Sequence, residues 1–429
     1  MKKKLALTPP MGWNSWDCYG ASVTEAEVRG NAEYMAEHMK AYGWEYIVVD
    51  IQWYEPDANS SAYRPFVPIE MDAYSRLIPA TKRFPSATNG QGFKPLADYI
   101  HSLGLKFGIH ILRGVPRQAV HTNSQILGTN VKAREIALTD SICQWNTDMY
   151  GIDPTKPGAA AYYNSLFELY ASWGVDFVKV DDISSAYIGN VPYFAGEIEL
   201  IRNAIEYCGH EMVLSLSPGP APIEQAEHLK KHAQMWRMTA DYWDCWGDLF
   251  EEFEKCHQWS PHVGEGHWPD ADMLPLGHLA IRSCEHGIGD RWTRFSQAEQ
   301  LTMLTLWCIF RSPLMVGCEL RDNDDWTLNL LTNEEVLHVL KHSHSGRQLY
   351  RDGHSIAWHA LSETGDHYLA VFNTGTTPVK IETPLNKIDL PESVQVRDLW
   401  SRTDLGETKK SIILDVPIHG ARLVKLTKK

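Results

Sequence analysis

Lys179-Val180-Asp181-Asp182 and Arg237-Met238-Thr239-Ala240-Asp241 each end a short apolar run on a carboxylate, sixty residues apart. Two carboxylates converging on one pocket suffice to break a glycosidic bond: one attacks the sugar and the other protonates the leaving oxygen. The runs that precede them, Asp176-Phe177-Val178 and Ala233-Gln234-Met235-Trp236, are too short for helices and read as buried strands with polar ends. An acid in that position is costly unless it is solvated, paired or used. A single such Asp more often caps a helix or sits in a loop; several at comparable positions reverse that reading.

The elements that must position them alternate along the chain. Strands are predicted at Met11–Trp16, Tyr46–Trp53, Lys106–Leu112, Asp176–Ser184, Glu211–Ser217, Gln234–Asp241, Asp272–Gly277 and Pro313–Leu320, with helical patterns between several of them, such as Glu25–Tyr42 and Ala159–Trp173. Eight strands alternating with helices predict a (β/α)8 TIM barrel, and no GxGxxG or P-loop follows any strand. Beyond a last helix, Asn333–Leu340, the period changes to two. His354–Leu361, His367–Asn373, Pro378–Glu382, Val394–Trp400 and Ala421–Leu426 predict a small C-terminal antiparallel β-sandwich. The expected division is 1–344 for the barrel and 345–429 for the sandwich.

Barrel chemistry gathers at the C-terminal strand ends. Those ends supply Trp16, Asp50, His110 with Arg113, Lys179 with Asp181 and Asp182, Ser217, Arg237 with Asp241, and Asp270 with Asp272. The set is polar, mixed in charge and rimmed by Trp13, Trp16, Trp53, Trp236 and Trp268, which suits a small neutral polyhydroxylated ligand. The net charge of −14 with no basic stripe excludes nucleic acid and anionic membrane as partners. Eight scattered cysteines without a CxxC pair read as reduced thiols of a cytoplasmic protein. The start Met1-Lys2-Lys3-Lys4-Leu5-Ala6-Leu7-Thr8 has no secretory apolar core, and no run reaches membrane-spanning length. His338, His342 and His344 have metal-capable spacing but lie away from the barrel mouth, and His257, His262 and His267 sit in a loop. With no HExxH, no metal or cofactor is expected.

Thr8-Pro9-Pro10-Met11-Gly12-Trp13-Asn14-Ser15-Trp16 resembles the opening signature of the melibiase-type α-galactosidases, glycoside hydrolase family 27. The likeness continues in order through Tyr46–Trp53, Lys179–Asp181, Trp236–Asp241, Asp270–Gly277, Ser312–Leu320, Asp398-Leu399-Trp400-Ser401 and His419-Gly420-Ala421-Arg422. The resemblance implies that Asp181 is the nucleophile of a covalent glycosyl-enzyme and Asp241 the acid, then the base, with retained anomeric configuration. It also implies Trp16 as the hexose platform, Asp50 and Lys179 at the O3/O4 side and Arg237 near O2. Lys179, two residues before Asp181, shares its strand face and would favour its ionised form. Asp241 must start protonated, and Ala240, Tyr242 and Trp243 are expected to give it a less solvated setting.

Three departures bear on the substrate. The family's galactosidases carry a second acid after the second strand for the C6 hydroxymethyl; here Asp50 is followed by Ile51, which suits β-L-arabinopyranose, the same sugar without C6. Ser217 stands where they have a Glu for O2, as in members accepting N-acetylgalactosamine, although Pro220 and Ala221 match that pattern only in part. His110 replaces a Tyr, and His110–Arg117 reads as a loop salt-bridge cluster or a leaving-group site. The favoured reading is a retaining exo-glycosidase for terminal α-D-galactoside-type linkages, α-galactosidase or β-L-arabinopyranosidase, acting on a small carbohydrate; a homo-oligomer is open to it. The alternatives are an α-N-acetylgalactosaminidase, a non-catalytic sugar-binding barrel, and metal-dependent proton abstraction through Asp181, Asp270, Asp272 and Lys179.

Overall fold

The computed structural model describes residues 5–185, 192–284 and 288–428. Met1–Lys4, which open the segment read above for a leader, lie outside the described residues. Eight short strands form one parallel sheet: β1 Met11–Asn14, β2 Tyr46–Val49, β3 Lys106–Leu112, β4 Phe177–Asp181, β5 Val213–Leu216, β6 Met235–Arg237, β7 Trp268–Asp270 and β8 Leu314–Val316. Their order is β7-β6-β5-β4-β3-β2-β1-β8. Runs such as Tyr46-Ile47-Val48-Val49 are buried throughout, as strands covered on both faces must be. The last gap is bridged by Leu274, which pairs in parallel with Val316 and donates its N–H to Met315 O at 2.7 Å. The result is a TIM barrel.

The seventh strand is therefore not at Asp272–Gly277 but one step earlier. Trp268, Pro269 and Asp270 pair with Met235, Trp236 and Arg237, after which the backbone turns at Asp272 (φ +80°) and only Leu274 rejoins the ladder. Other strands stop sooner than their apolar runs. Trp16 opens a short helix rather than ending β1, its N–H donating to Asn14 Oδ1, and Asp241 lies in the loop four residues past β6.

Between strands run α1 Glu25–His38, α2 Lys94–Ser102, α3 Ala159–Trp173, α4 Ala195–Cys208, α5 Ala226–His232, α6 Trp246–Trp259 and α7 Gln297–Phe310. α1 ends at His38, and a 3-10 turn over Lys40–Tyr42 completes the stretch before Gly43 in the left-handed region. The excursion after β3 was not expected: Val115–Pro116, Ala137–Ile142 and Met149–Ile152 make a small antiparallel sheet above the barrel.

α8, Glu334–His342, leads into the C-terminal sandwich. A six-stranded sheet, in the order β9 Ser343–Asp352, β10 Ser355–Ser362, β11 His367–Asn373, β16 Ala421–Lys428, β13 Ser393–Asp398 and β14 Thr403–Lys409, faces the pair β12 Val379–Pro384 and β15 Ser411–Val416. One face of the sheet carries Trp358, Phe372 and Leu423 into the barrel's own core; the other packs Ala357, Val371 and Val424 on Ile381 and Leu414. β14 is exposed along nearly its whole length, so it shows no alternation in the sequence. Among the described residues no helix is long and apolar enough to cross a membrane.

Candidate active site

Successive strand ends build a ring. Asn14, the last residue of β1, donates from Nδ2 to Asp50 Oδ2 at 2.7 Å, and Lys179 Nζ reaches the same oxygen from β4 at 3.0 Å. The other oxygen of Asp50 accepts the Ile51 N–H. Burial alone would raise the Asp50 carboxyl, but the charges of His110 and Lys179 and the Asn14 amide hold it below its ordinary value. Burial likewise works against the Lys179 ammonium; Asp50 and Asp181 outweigh it and push its pKa up.

Asp181 ends β4, two residues after Lys179 on the same face. Its Oδ2 lies 3.0 Å from His110 Nε2 and its Oδ1 accepts the Asp182 N–H at 2.8 Å. Burial opposes the charge of Asp181, yet the His110 hydrogen bond, the charges of His110 and Lys179 and the backbone N–H bring it from 3.8 down to about 2. The direction favours the ionised carboxylate, the form in which a carboxyl group can act as a nucleophile.

Across the ring, Arg237 ends β6. Its Nη2 lies 2.8 Å from Asp272 Oδ2 and donates to Asp241 Oδ1 at 3.1 Å. Asp272 also accepts the Tyr242 N–H and gives its own N–H to Asp270. Burial, with the Asp272 charge added, pushes Asp270 up to about 7. The shielding expected around Asp241 is not what the structure has: its carboxyl is 56% exposed. Tyr242 instead turns into the wall, its ring 5.1 Å from Trp307.

These groups share one cavity of about 280 Å³, lined by Trp16, Asp50, Ile51, Lys179, Asp181, Ser217, Arg237 and Asp241 among others. That volume falls near the lower end of the roughly 300–1,000 Å³ of drug-sized clefts and fits one sugar ring. Two roomier cavities, one lined by Phe66 and Arg117 and one by Trp400 and Leu405, hold no such convergence of strand-end carboxylates. Size does not mark the site here; chemistry does.

His110 is brought to the ring but not to the cavity. It is fully buried under Asp181 and, at 3.9 Å, near Asp50. The segment that follows it stays away too. Arg113 is buried between Asp182 and Glu197, 3.1 Å from each, with its guanidinium over the Phe194 ring, and Arg117 lies between the rings of Phe66 and Tyr150. Asp182 is thus committed to Arg113. Of the acids weighed for proton abstraction, Asp181 is held by His110 while Asp272 faces Arg237 across the ring, and among the described residues Asp181, Asp270 and Asp272 do not come close enough together to share one ion. What sequence reasoning missed is the aromatic wall: Tyr63 stacks on Trp16 at 5.9 Å and Trp145 lies 5.5 Å beyond. Both come from long loops with no local pattern, and only folding brings them to the mouth.

The family model described as "Alpha galactosidase A" matches residues 8–156 and 151–342, and that of the "Alpha galactosidase C-terminal beta sandwich domain" matches 352–426. The chain is 25% identical over 434 residues to alpha-galactosidase 2 of Arabidopsis thaliana, covering 100% of this chain and 92% of that protein. It is 60% identical to a family 27 β-L-arabinopyranosidase from Geobacillus stearothermophilus, solved with arabinose, at a TM-score of 0.97 over 99% of this chain and 98% of that one. A Bacillus halodurans C-125 structure, provisionally named an α-N-acetylgalactosaminidase, is 56% identical at a TM-score of 0.90, covering 100% and 99%. With both models in sequence order over nearly its whole length, this chain belongs to the alpha galactosidase A family of glycoside hydrolases, glycoside hydrolase family 27.

Proposed function

We propose that the protein is a retaining exo-glycosidase that removes terminal β-L-arabinopyranosyl groups in preference to α-D-galactosyl groups. Asp181 attacks the anomeric carbon as Asp241 passes its proton to the departing glycosidic oxygen; Asp241 then takes a proton from the water that hydrolyses the ester bond to Asp181. Trp16 supports the sugar face, Asp50 and Lys179 take its O3/O4 side, and Arg237 lies toward O2. His110 acts through Asp181 as a positioning residue. The barrel, 1–344, carries the reaction and the sandwich, 345–429, buttresses it. We place the enzyme in the cytoplasm, acting on small carbohydrates.

The observation that carries the preference is Ile51, which lines the cavity immediately after Asp50 and can offer no hydrogen bond to a C6 hydroxyl. The 60% identity to a β-L-arabinopyranosidase supports the same choice. The test is initial rates on the p-nitrophenyl β-L-arabinopyranoside, α-D-galactopyranoside and α-N-acetylgalactosaminide, with Asp181→Ala as the blank and Ile51→Asp alongside. The arabinopyranoside is expected to be cleaved best, and Ile51→Asp to shift the ratio toward galactoside by at least about tenfold. A wild-type preference for galactoside, or for the acetamido sugar through the space at Ser217, would overturn the specificity and leave the mechanism standing. Full activity in Asp181→Ala would overturn the mechanism.

A further inference from the structure

On the outside of the barrel, α4 and α5 bring together three groups that the glycosidase reading does not use. Glu199 projects from α4; His228 and His232 sit one turn apart on α5, their rings 4.4 Å between centroids. One ligand atom from each of the three lies within 4.8 Å of the other two. His228 Nδ1 is 2.6 Å from the Tyr193 hydroxyl and its Nε2 is 3.3 Å from Glu199 Oε1. His232 is 7% exposed, and neither of its ring nitrogens has a hydrogen-bond partner among the described residues.

We infer that Glu199, His228 and His232 form a binding site for a borderline divalent transition metal, Zn2+ being the type case. The unpartnered His232 is the independent sign. Buried ring nitrogens rarely go unsatisfied, and a metal at this point takes one of them as a ligand. Tyr193 does for His228 what an outer hydrogen-bond partner does in metal sites: by accepting the Nδ1 proton it turns Nε2 toward the ion. A metal that ligates His228 Nε2 leaves the single ring proton on Nδ1, where the Tyr193 oxygen accepts it, and takes the Glu199 carboxylate as its anionic ligand. The Glu199 carboxylate is half exposed, so a water can complete a four-coordinate shell. Two imidazoles disfavour Mg2+ and Ca2+, which want oxygen.

None of the three residues lines the sugar cavity. The site instead ties α4, which follows the strand bearing Asp181, to α5, which precedes the strand bearing Arg237. Its role is a clip between two helices of the outer ring, and glycoside cleavage does not require it.

The test is calorimetric titration of chelator-stripped full-length protein with ZnCl2, paired with thermal unfolding with and without excess Zn2+. Wild type is expected to take up one Zn2+ per chain with micromolar or tighter affinity and to gain several degrees in Tm. Glu199→Gln, at a half-exposed position that the fold tolerates, and His232→Ala should each weaken binding by at least about tenfold while the stripped proteins keep wild-type kcat/KM. His342→Ala, in the other one-turn His pair, should change nothing. Absence of saturable one-to-one binding by wild type overturns the proposal. So does wild-type affinity in Glu199→Gln and His232→Ala, which would make the bound ion adventitious.

Discussion

His110→Phe removes the one side chain that hydrogen-bonds Asp181 from beneath and leaves the ring volume nearly intact. Asp181 sits at about 2 against an ordinary 3.8. That difference favours the carboxylate by roughly 2 kcal/mol. A hydrogen bond to a charged group contributes about 1.5–3 kcal/mol, so the 3.0 Å contact from His110 is comparable to the whole bias. With it gone, burial is opposed only by Lys179 and the Asp182 N–H, and the carboxyl rises to its ordinary value or above. The sign follows from the role: a nucleophile must be ionised, and a carboxyl loses its charge as pH falls through its pKa. The acid limb of kcat/KM should therefore move up by at least about one pH unit, with a loss of roughly 10–100-fold near neutrality from the misplaced nucleophile. The assay is kcat/KM for p-nitrophenyl β-L-arabinopyranoside across the pH range in which circular dichroism shows each protein folded. His110→Tyr, which restores a hydroxyl donor, should recover part of the loss. Superimposable profiles for wild type and His110→Phe, with rates within about twofold, would refute the reasoning.

Azide separates the two carboxylates: it should rescue Asp241→Ala with retention and Asp181→Ala with inversion, read by NMR of the glycosyl azide, and the same stereochemistry from both would reverse or void the roles. Away from the cavity, Glu252 is buried with one oxygen held by Thr239 and Lys255 and the other without a partner among the described residues, and burial pushes it up from 4.5 to about 7. A carboxyl that holds its proton in the folded state above its unfolded pKa costs stability as pH rises through that window, here up to about 3 kcal/mol. Wild-type Tm should fall between pH 5 and 8 and that of Glu252→Gln should fall less; parallel curves in differential scanning fluorimetry would count against it. Gly219→Ala places a methyl 2.0 Å from Thr239 O and 2.9 Å from Arg237 O, both backbone atoms. The loop after β5 must then shift off β6, and we expect a loss of more than about 2 kcal/mol in denaturant titration together with a fall in kcat/KM.

Most of the site could be read from the chain because its members end or follow strands, and strands announce themselves locally. Asp50, His110, Lys179, Asp181, Ser217 and Arg237 were found as polar residues terminating apolar runs of β2 to β6, and parallel topology alone brings such ends to one face. The seventh strand was misplaced because Trp268-Pro269-Asp270 is too short to show a period, whereas the apolar stretch beyond it, which contains Leu274, imitates a strand while making only the closing bridge. β14 was invisible for the opposite reason, having almost no buried residue to alternate.

Composition and order thus determined the architecture, the pair of strand-linked aspartates and the apolar Ile51 beside Asp50. Tertiary structure decided the rest. It put His110 beneath Asp181 rather than in the cavity wall, and it turned Tyr242 inward, leaving Asp241 open. It folded Tyr63 and Trp145 over Trp16, and it set Glu199 beside two histidines of the next helix. Each of these depends on contacts between residues far apart in the chain. Local propensity carries no information about such contacts; they form when the packing of one buried element selects the position of another.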